Sequence, residues 1–106
     1  MKQDYKKAAK LLEKAAAGGC VEAIDVFGVA LWKGEGIEAD PRRAFGLFMK
    51  AASAGYPPAM ENVSTCYERG SGVRADEHLA LEWKIRSRAA RGDRNAQAWL
   101  RQNGLR

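Results

Sequence analysis

Small and apolar residues recur along this chain at helical spacing, and the helices they imply recur every 36 residues. Asp4, Asp40 and Asp76 share that spacing, as do Ala8, Ala44 and Ala80. The register continues through Leu11, Leu47 and Trp83, and through Leu12 and Phe48. Ala15-Ala16 and Ala51-Ala52 recur at the same distance, with Gly19 and Gly55, Ala23 and Ala59, Gly34 and Gly70, and Gly36 and Gly72. After residue 85 the phase slips by one, so Gly92 and Ala96 follow Gly55 and Ala59 by 37. Such a period marks one supersecondary unit repeated, whose apolar stripe is buried only when neighbours are laid against it.

Each unit reads as two helices. In the first type, Ala23, Phe27, Gly28 and Leu31 share one face of a helix over about Val21 to Lys33. Ala59, Val63, Ser64 and Tyr67 repeat that face from about Pro58 to Arg69. Gly28 and Ser64 are small enough to let a neighbouring helix approach. Gly34-x-Gly36 and Gly70-x-Gly72 end these helices and permit positive φ in the turn, and Ile37 and Val73 are expected to tuck the loop onto the core. The second type starts with an aspartate cap at Asp40 or Asp76. It continues through Ala44, Leu47, Phe48 and Ala51-Ala52, or through Ala80, Trp83 and Ala89-Ala90. Residues 4 to 17 form a further second-type helix with no first-type helix before it, and Asp93 caps a last helix from Arg94 to about Gln102. The expected fold is all-α: six helices stacked as antiparallel hairpins in a single solenoid domain.

Composition sharpens this picture. The chain has 106 residues, 46% in the hydrophobic class and 29% charged, with eleven glycines and three prolines; these are values of a single globular domain. No apolar run approaches the roughly 18 residues of a membrane span, and no apolar signal segment follows the initial positive charge, so the expectation is a cytoplasmic protein with no membrane contact. Residues 1–68 hold nine Lys/Arg and nine Asp/Glu, whereas residues 69–106 hold nine and four, so the whole net charge of +5 lies in the last third. That basic end comprises Arg69, Arg74, Lys84, Arg86, Arg88, Arg91, Arg94, Arg101 and Arg106. It suits an acidic partner or a nucleic acid, but it lacks interleaved base-stacking aromatics, and a solvated helix face is the simpler reading. Cys20, Cys66 and His78 are too few soft ligands for a zinc site, and no cofactor or metal is expected. Cys66 reads as a structural thiol on an apolar face and His78 as an exposed imidazole.

These residues resemble the Sel-1-like repeat, a relative of the tetratricopeptide repeat. Its pattern is matched from Ala23 through Gly28, Leu31, Gly34, Gly36, Ile37, Asp40, Ala44, Leu47 and Ala51-Ala52 to Gly55. A second copy runs from Ala59 through Val63, Tyr67, Gly70, Gly72, Val73, Asp76, Ala80 and Trp83 to Ala89, Ala90 and Gly92. The resemblance implies a right-handed solenoid of about two and a half repeats: a half repeat at 4–19, repeats at 20–55 and 56–92, and a capping helix at 93–106. Leu31 replaces the family's aromatic, Ser64 its small glycine, and Arg101 stands where the last small residue would sit.

The resemblance also implies a scaffold or adaptor that holds a protein or peptide partner, without catalytic residues. In such a stack the repeating letters serve packing, so binding falls to those that do not repeat. On the first-type helices, which line the concave side in related solenoids, these are Glu22, Asp25, Val29, Trp32, Lys33, Glu61, Thr65, Glu68 and Arg69. Trp32 stands out, because its counterpart in the next repeat is Glu68; it is expected either to anchor a partner or to cover the glycine loop. Some secreted, cysteine-rich family members are linked to β-lactam binding or hydrolysis, but they pair cysteines within repeats, and Cys20 and Cys66 occupy unmatched positions of different repeats. Finally, Ala8, Leu11, Leu12 and Ala15 have no upstream helix to cover them, so either the natural chain is longer or a homodimer forms through the N-terminal helix.

Overall fold

Aspartate carboxylates start four of the helices. In the computed structural model, which describes residues 4–105, Oδ1 of Asp4 accepts from the Lys7 amide at 3.1 Å and Oδ1 of Asp40 from that of Arg43 at 3.2 Å. Asp76 accepts from Leu79 at 3.0 Å and Asp93 from Ala96 at 3.2 Å. Each bond satisfies an amide that the first helical turn leaves open, worth about 1 kcal/mol. The described residues form α1 (Tyr5–Ala17), α2 (Val21–Lys33), α3 (Pro41–Ser53), α4 (Pro57–Arg69), α5 (Glu77–Ala90) and α6 (Arg94–Gln102), with no strand among them. The only shift from the expected boundaries of α2 and α4 is that α4 starts one residue early, because Pro57 as well as Pro58 fits the first helical turn.

Each helix packs chiefly on its neighbours in sequence, giving a stack 47 Å long and 25 Å across. The repeat holds at the level of single bonds. The Asp40 amide donates to the Leu31 carbonyl at 2.8 Å, and the Asp76 amide donates to that of Tyr67 at 2.9 Å. These bonds close the glycine loops and bring Ile37 and Val73 against the core, as expected.

The second glycine of each loop joins one repeat to the previous one. A Cβ on Gly36 would lie 2.0 Å from the Tyr5 carbonyl oxygen, and one on Gly72 2.1 Å from that of Pro41. Both glycines also have positive φ, at +76° and +72°. The loop backbone therefore rests directly on the first turn of the preceding second-type helix, which no side chain would allow.

Phe27, Leu31, Phe48, Val63 and Cys66 are fully buried and fill the centre of the stack. The recurring alanines separate by position. Ala44, Ala51 and Ala59 are wholly buried because α3 and α4 are covered on both sides, whereas Ala8 and Ala15 are exposed and α1 buries Ala9 and Ala16 against α2 instead. Leu11 is 66% exposed on the same outward stripe. In α5 the expected role of Ala89-Ala90 falls elsewhere. Ser87, 36 residues after Ala51, is the buried small residue, and Ala90 is exposed. The one-residue slip is an extra residue at the end of α5, so the helix keeps the 36-residue register throughout its length.

Candidate functional site

The surface nominated by sequence lies on α2 and α4, which are tied together by side chains. Oδ1 of Asp25 accepts from Nδ2 of Asn62 at 2.9 Å. Asp25 is only 6% exposed, which corrects its place among free surface residues: burial holds its carboxyl above the ordinary carboxylate range, and the Asn62 bond opposes that shift. Tyr56, at the start of α4, is also raised, first by partial desolvation and then by the Glu22 and Asp25 carboxylates and the Cys20 thiol. Glu22, Lys33, Glu61, Glu68 and Arg69 are exposed, whereas Val29 and Thr65 are half-buried. Thr65 donates its hydroxyl to the Glu61 carbonyl at 3.1 Å. Glu61 pairs with Arg91 and accepts from the Ser87 hydroxyl at 3.3 Å.

Trp32 is a packing residue as well as a surface one. Its Nε1 donates to Oγ of Ser71 at 2.6 Å, and its ring meets Phe48 edge-on, with centroids 6.3 Å apart and planes at 87°. The Arg69 guanidinium lies 5.7 Å from the ring centroid. Trp32 therefore covers a glycine loop, but it is the loop of the next repeat, where Ser71 stands between Gly70 and Gly72. Sequence reasoning missed Ser71 because it lies in a loop outside the first-type helices, and Asn62 because the partner that gives it a role, Asp25, is 37 residues away.

Three departures from the repeat fall at one place. In the first full repeat Phe48 lies over Gly28, where a Cβ would come within 2.7 Å of the ring, with Trp32 at its edge. Thirty-six residues later the three positions are Lys84, Ser64 and Glu68. With no ring in the way, the Ser64 hydroxyl donates to the Ala80 carbonyl at 2.6 Å. A cleft of about 230 Å³ opens there, lined by Ser64, Glu68, Glu77, Ala80, Leu81 and Lys84. An aromatic plug in one repeat has become a charged, solvent-facing cleft in the next.

The basic end is divided rather than continuous. Arg91 is matched by Glu61, and Arg86 by Glu82 at 3.2 Å, with its guanidinium also 5.1 Å from the Trp83 ring centroid. Lys84, Arg88 and Arg91 border one shallow pocket, and Arg86 and Arg101 another; Arg106 lies outside the described residues. Cys20 is an exposed free thiol and Cys66 a buried one, pushed up to about 11 by burial. Among the described residues, no helix is long and apolar enough to cross a membrane, and no group of three or more His, Cys, Asp or Glu could hold a metal ion.

The stack and its repeat have known counterparts. The Sel1 repeat family model matches residues 1–20, 27–56 and 57–84. A Sel1 repeat protein from Oxalobacter formigenes superposes with a TM-score of 0.81 at 33% identity, over 92% of this chain and 28% of that one. A protective antigen present in uropathogenic Escherichia coli strains, c5321, which displays an SLR fold, superposes with a TM-score of 0.78 at 28% identity, over 97% and 22%. The chain thus spans about a quarter of the length of either structure. No curated protein matches it. With a repeat legible in single bonds and matched along most of its length, this chain belongs to the Sel1 repeat family.

Proposed function

We propose that this protein is an interaction scaffold that holds a protein or peptide partner against the exposed side of α2 and α4. Sel1 repeats are in general protein-interaction scaffolds and mainly non-catalytic. The observation that carries the reading is a division of labour along these two helices. Positions that repeat, Ala23 and Ala59 or Leu31 and Tyr67, face the core or its margin, whereas the exposed Glu22 and Glu68 stand 36 residues from Pro58 and Trp32, with no like residue there. Packing fixes the first set and leaves the second free to be shaped by a ligand. Affinity capture from the source cell tests this, with wild type compared against Lys33→Ser/Glu68→Ser/Arg69→Ser, a variant confined to exposed residues. The partner is expected on the wild type and lost on the variant; equal capture by both overturns the assignment.

Pairing of two copies through α1 is the second reading. It is supported by the outward stripe of Ala8, Leu11 and Ala15. Light scattering over a concentration series is expected to show a dimer that Leu11→Glu dissociates, and a monomer throughout overturns it.

A further inference from the structure

Another departure from the repeat lies where α5 meets α4. Three exposed cations of α5, Lys84, Arg88 and Arg91, stand on one face at i, i+4 and i+7. With Glu61 and Ser87 they line a hollow of about 270 Å³. In the repeat before, the corresponding places are filled by packing. Phe48 and Ala52, 36 residues earlier, are buried, and Ala54 caps α3 where Arg91 caps α5. A seam that is apolar and buried between α2 and α3 is therefore polar and open between α4 and α5. Both lining helices lie within the stack, α4 packed on α3 and α5 on α6, so the hollow belongs to the side of the stack and not to an end face.

Helix electrostatics account for one cation toward the C-terminal end of each second-type helix, and α5 already has it. Lys14, Lys50 and Arg86 recur 36 residues apart, and Arg86 is paired with Glu82. Lys84, Arg88 and Arg91 are additional. The side chains of Lys84 and Arg88 make no hydrogen bond or ion pair among the described residues, although Lys84 also borders the cleft that holds Glu68 and Glu77. Arg91 pairs with Glu61, but both side chains are about half exposed, and such a surface pair is weak and easily exchanged. Three positive charges against one negative leave two unmet around the hollow, which is close to the charge of a phosphate monoester at neutral pH. A carboxylate would meet only one of them. Phosphate also brings three acceptor oxygens, enough for Lys84, Arg88 and Arg91 to donate together, the two guanidiniums with paired N–H groups.

We propose that this hollow receives a phosphorylated side chain of a partner protein, with Lys84, Arg88 and Arg91 on its phosphate. The proposal rests on the reading of this chain as an interaction scaffold, and not on which residues of α2 and α4 hold the rest of the partner. The test is an array of peptides with a central phosphoserine, phosphothreonine or phosphotyrosine and randomised flanks, each beside its unphosphorylated twin. It is probed with the whole chain, with Lys84→Gln/Arg88→Gln, and with Arg42→Gln/Lys50→Gln, which removes the same charge from exposed positions of α3; circular dichroism confirms the fold of each variant. Phosphorylated peptides are expected to bind above their twins, and about tenfold or more weakly to Lys84→Gln/Arg88→Gln, with little change on Arg42→Gln/Lys50→Gln. Glu61→Gln, which frees Arg91 of its competitor, is expected to tighten them. Binding indifferent to phosphorylation overturns the proposal, as does an equal loss in the two double variants, which makes the hollow part of a general positive field. So does binding of phosphatidylcholine–phosphatidic acid vesicles, or of a labelled oligouridine, that Lys84→Gln/Arg88→Gln abolishes while no peptide binds, since these assign the cations to a lipid surface or to RNA. Selective phosphopeptide binding together with unchanged capture by Lys33→Ser/Glu68→Ser/Arg69→Ser removes the α2–α4 assignment and leaves this one standing; lost capture without phosphopeptide selectivity does the reverse.

Discussion

The indole Nε1 of Trp32 donates to Oγ of Ser71 at 2.6 Å, across a separation of 39 residues that joins one hairpin to the loop of the next. Trp32→Phe keeps a ring against Phe48 and removes the bond, and is expected to cost about 1 kcal/mol in a urea melt. Trp32→Ala is expected to cost roughly 1–3 kcal/mol, because contact with Phe48 is lost as well. Unchanged stability in Trp32→Ala, with weakened capture of a partner, would return this residue to a purely surface role.

Glycines of this chain are expected to respond with opposite signs. Gly36→Ala and Gly72→Ala drive a Cβ into the backbone at Tyr5 and Pro41 and demand positive φ of alanine, so each should destabilise by more than about 1 kcal/mol. Gly46 lies inside α3, with open space where its Cβ would be, and Gly46→Ala should stabilise by about 0.5–1 kcal/mol. Thermal melts of the three single variants decide the matter.

Asp25 should make the fold less stable at neutral pH than it is in acid. Its folded-state pKa is raised above 3.8 by burial, so its contribution is fully present below that value and is lost as pH rises through the folded pKa. Asp25→Asn can still accept from Asn62 and carries no charge. The variant is expected to melt higher than wild type at pH 7, with the advantage shrinking toward pH 4; a constant difference across that range would remove the buried carboxylate from the explanation.

The two thiols should separate cleanly. Cys20 is exposed and should react with Ellman's reagent in the native state, whereas Cys66 should react only on unfolding. Because the Cys66 pKa is raised from 9.0 to about 11, stability tied to its neutral form is present below pH 9 and is lost as pH climbs toward 11. Cys66→Ala should flatten that alkaline decline, and an identical decline in the variant would assign it to other groups.

Much of the architecture was legible because its determinants are local. Each capping aspartate bonds an amide two or three residues away, and each glycine loop closes within nine. The binding surface was harder to read because exposure depends on distant neighbours. Asp25 looks free on α2 until Asn62, 37 residues on, covers it, and nothing at Val26, the counterpart of Asn62, announces that bond. Ser87 escaped notice for a related reason: alanine pairs drew the eye to Ala89-Ala90, while α5 kept its register and lengthened only at its end.

The division between buried positions that build the stack and exposed positions on α2 and α4 that bind is tested most directly by measuring stability and partner affinity together on Lys33→Ser/Glu68→Ser/Arg69→Ser. The expected result is a urea midpoint close to wild type, since exposed substitutions usually change stability by no more than about 0.5 kcal/mol each, with affinity for the captured partner reduced at least about tenfold. A variant that binds its partner as tightly as wild type, or one that unfolds, would contradict the account.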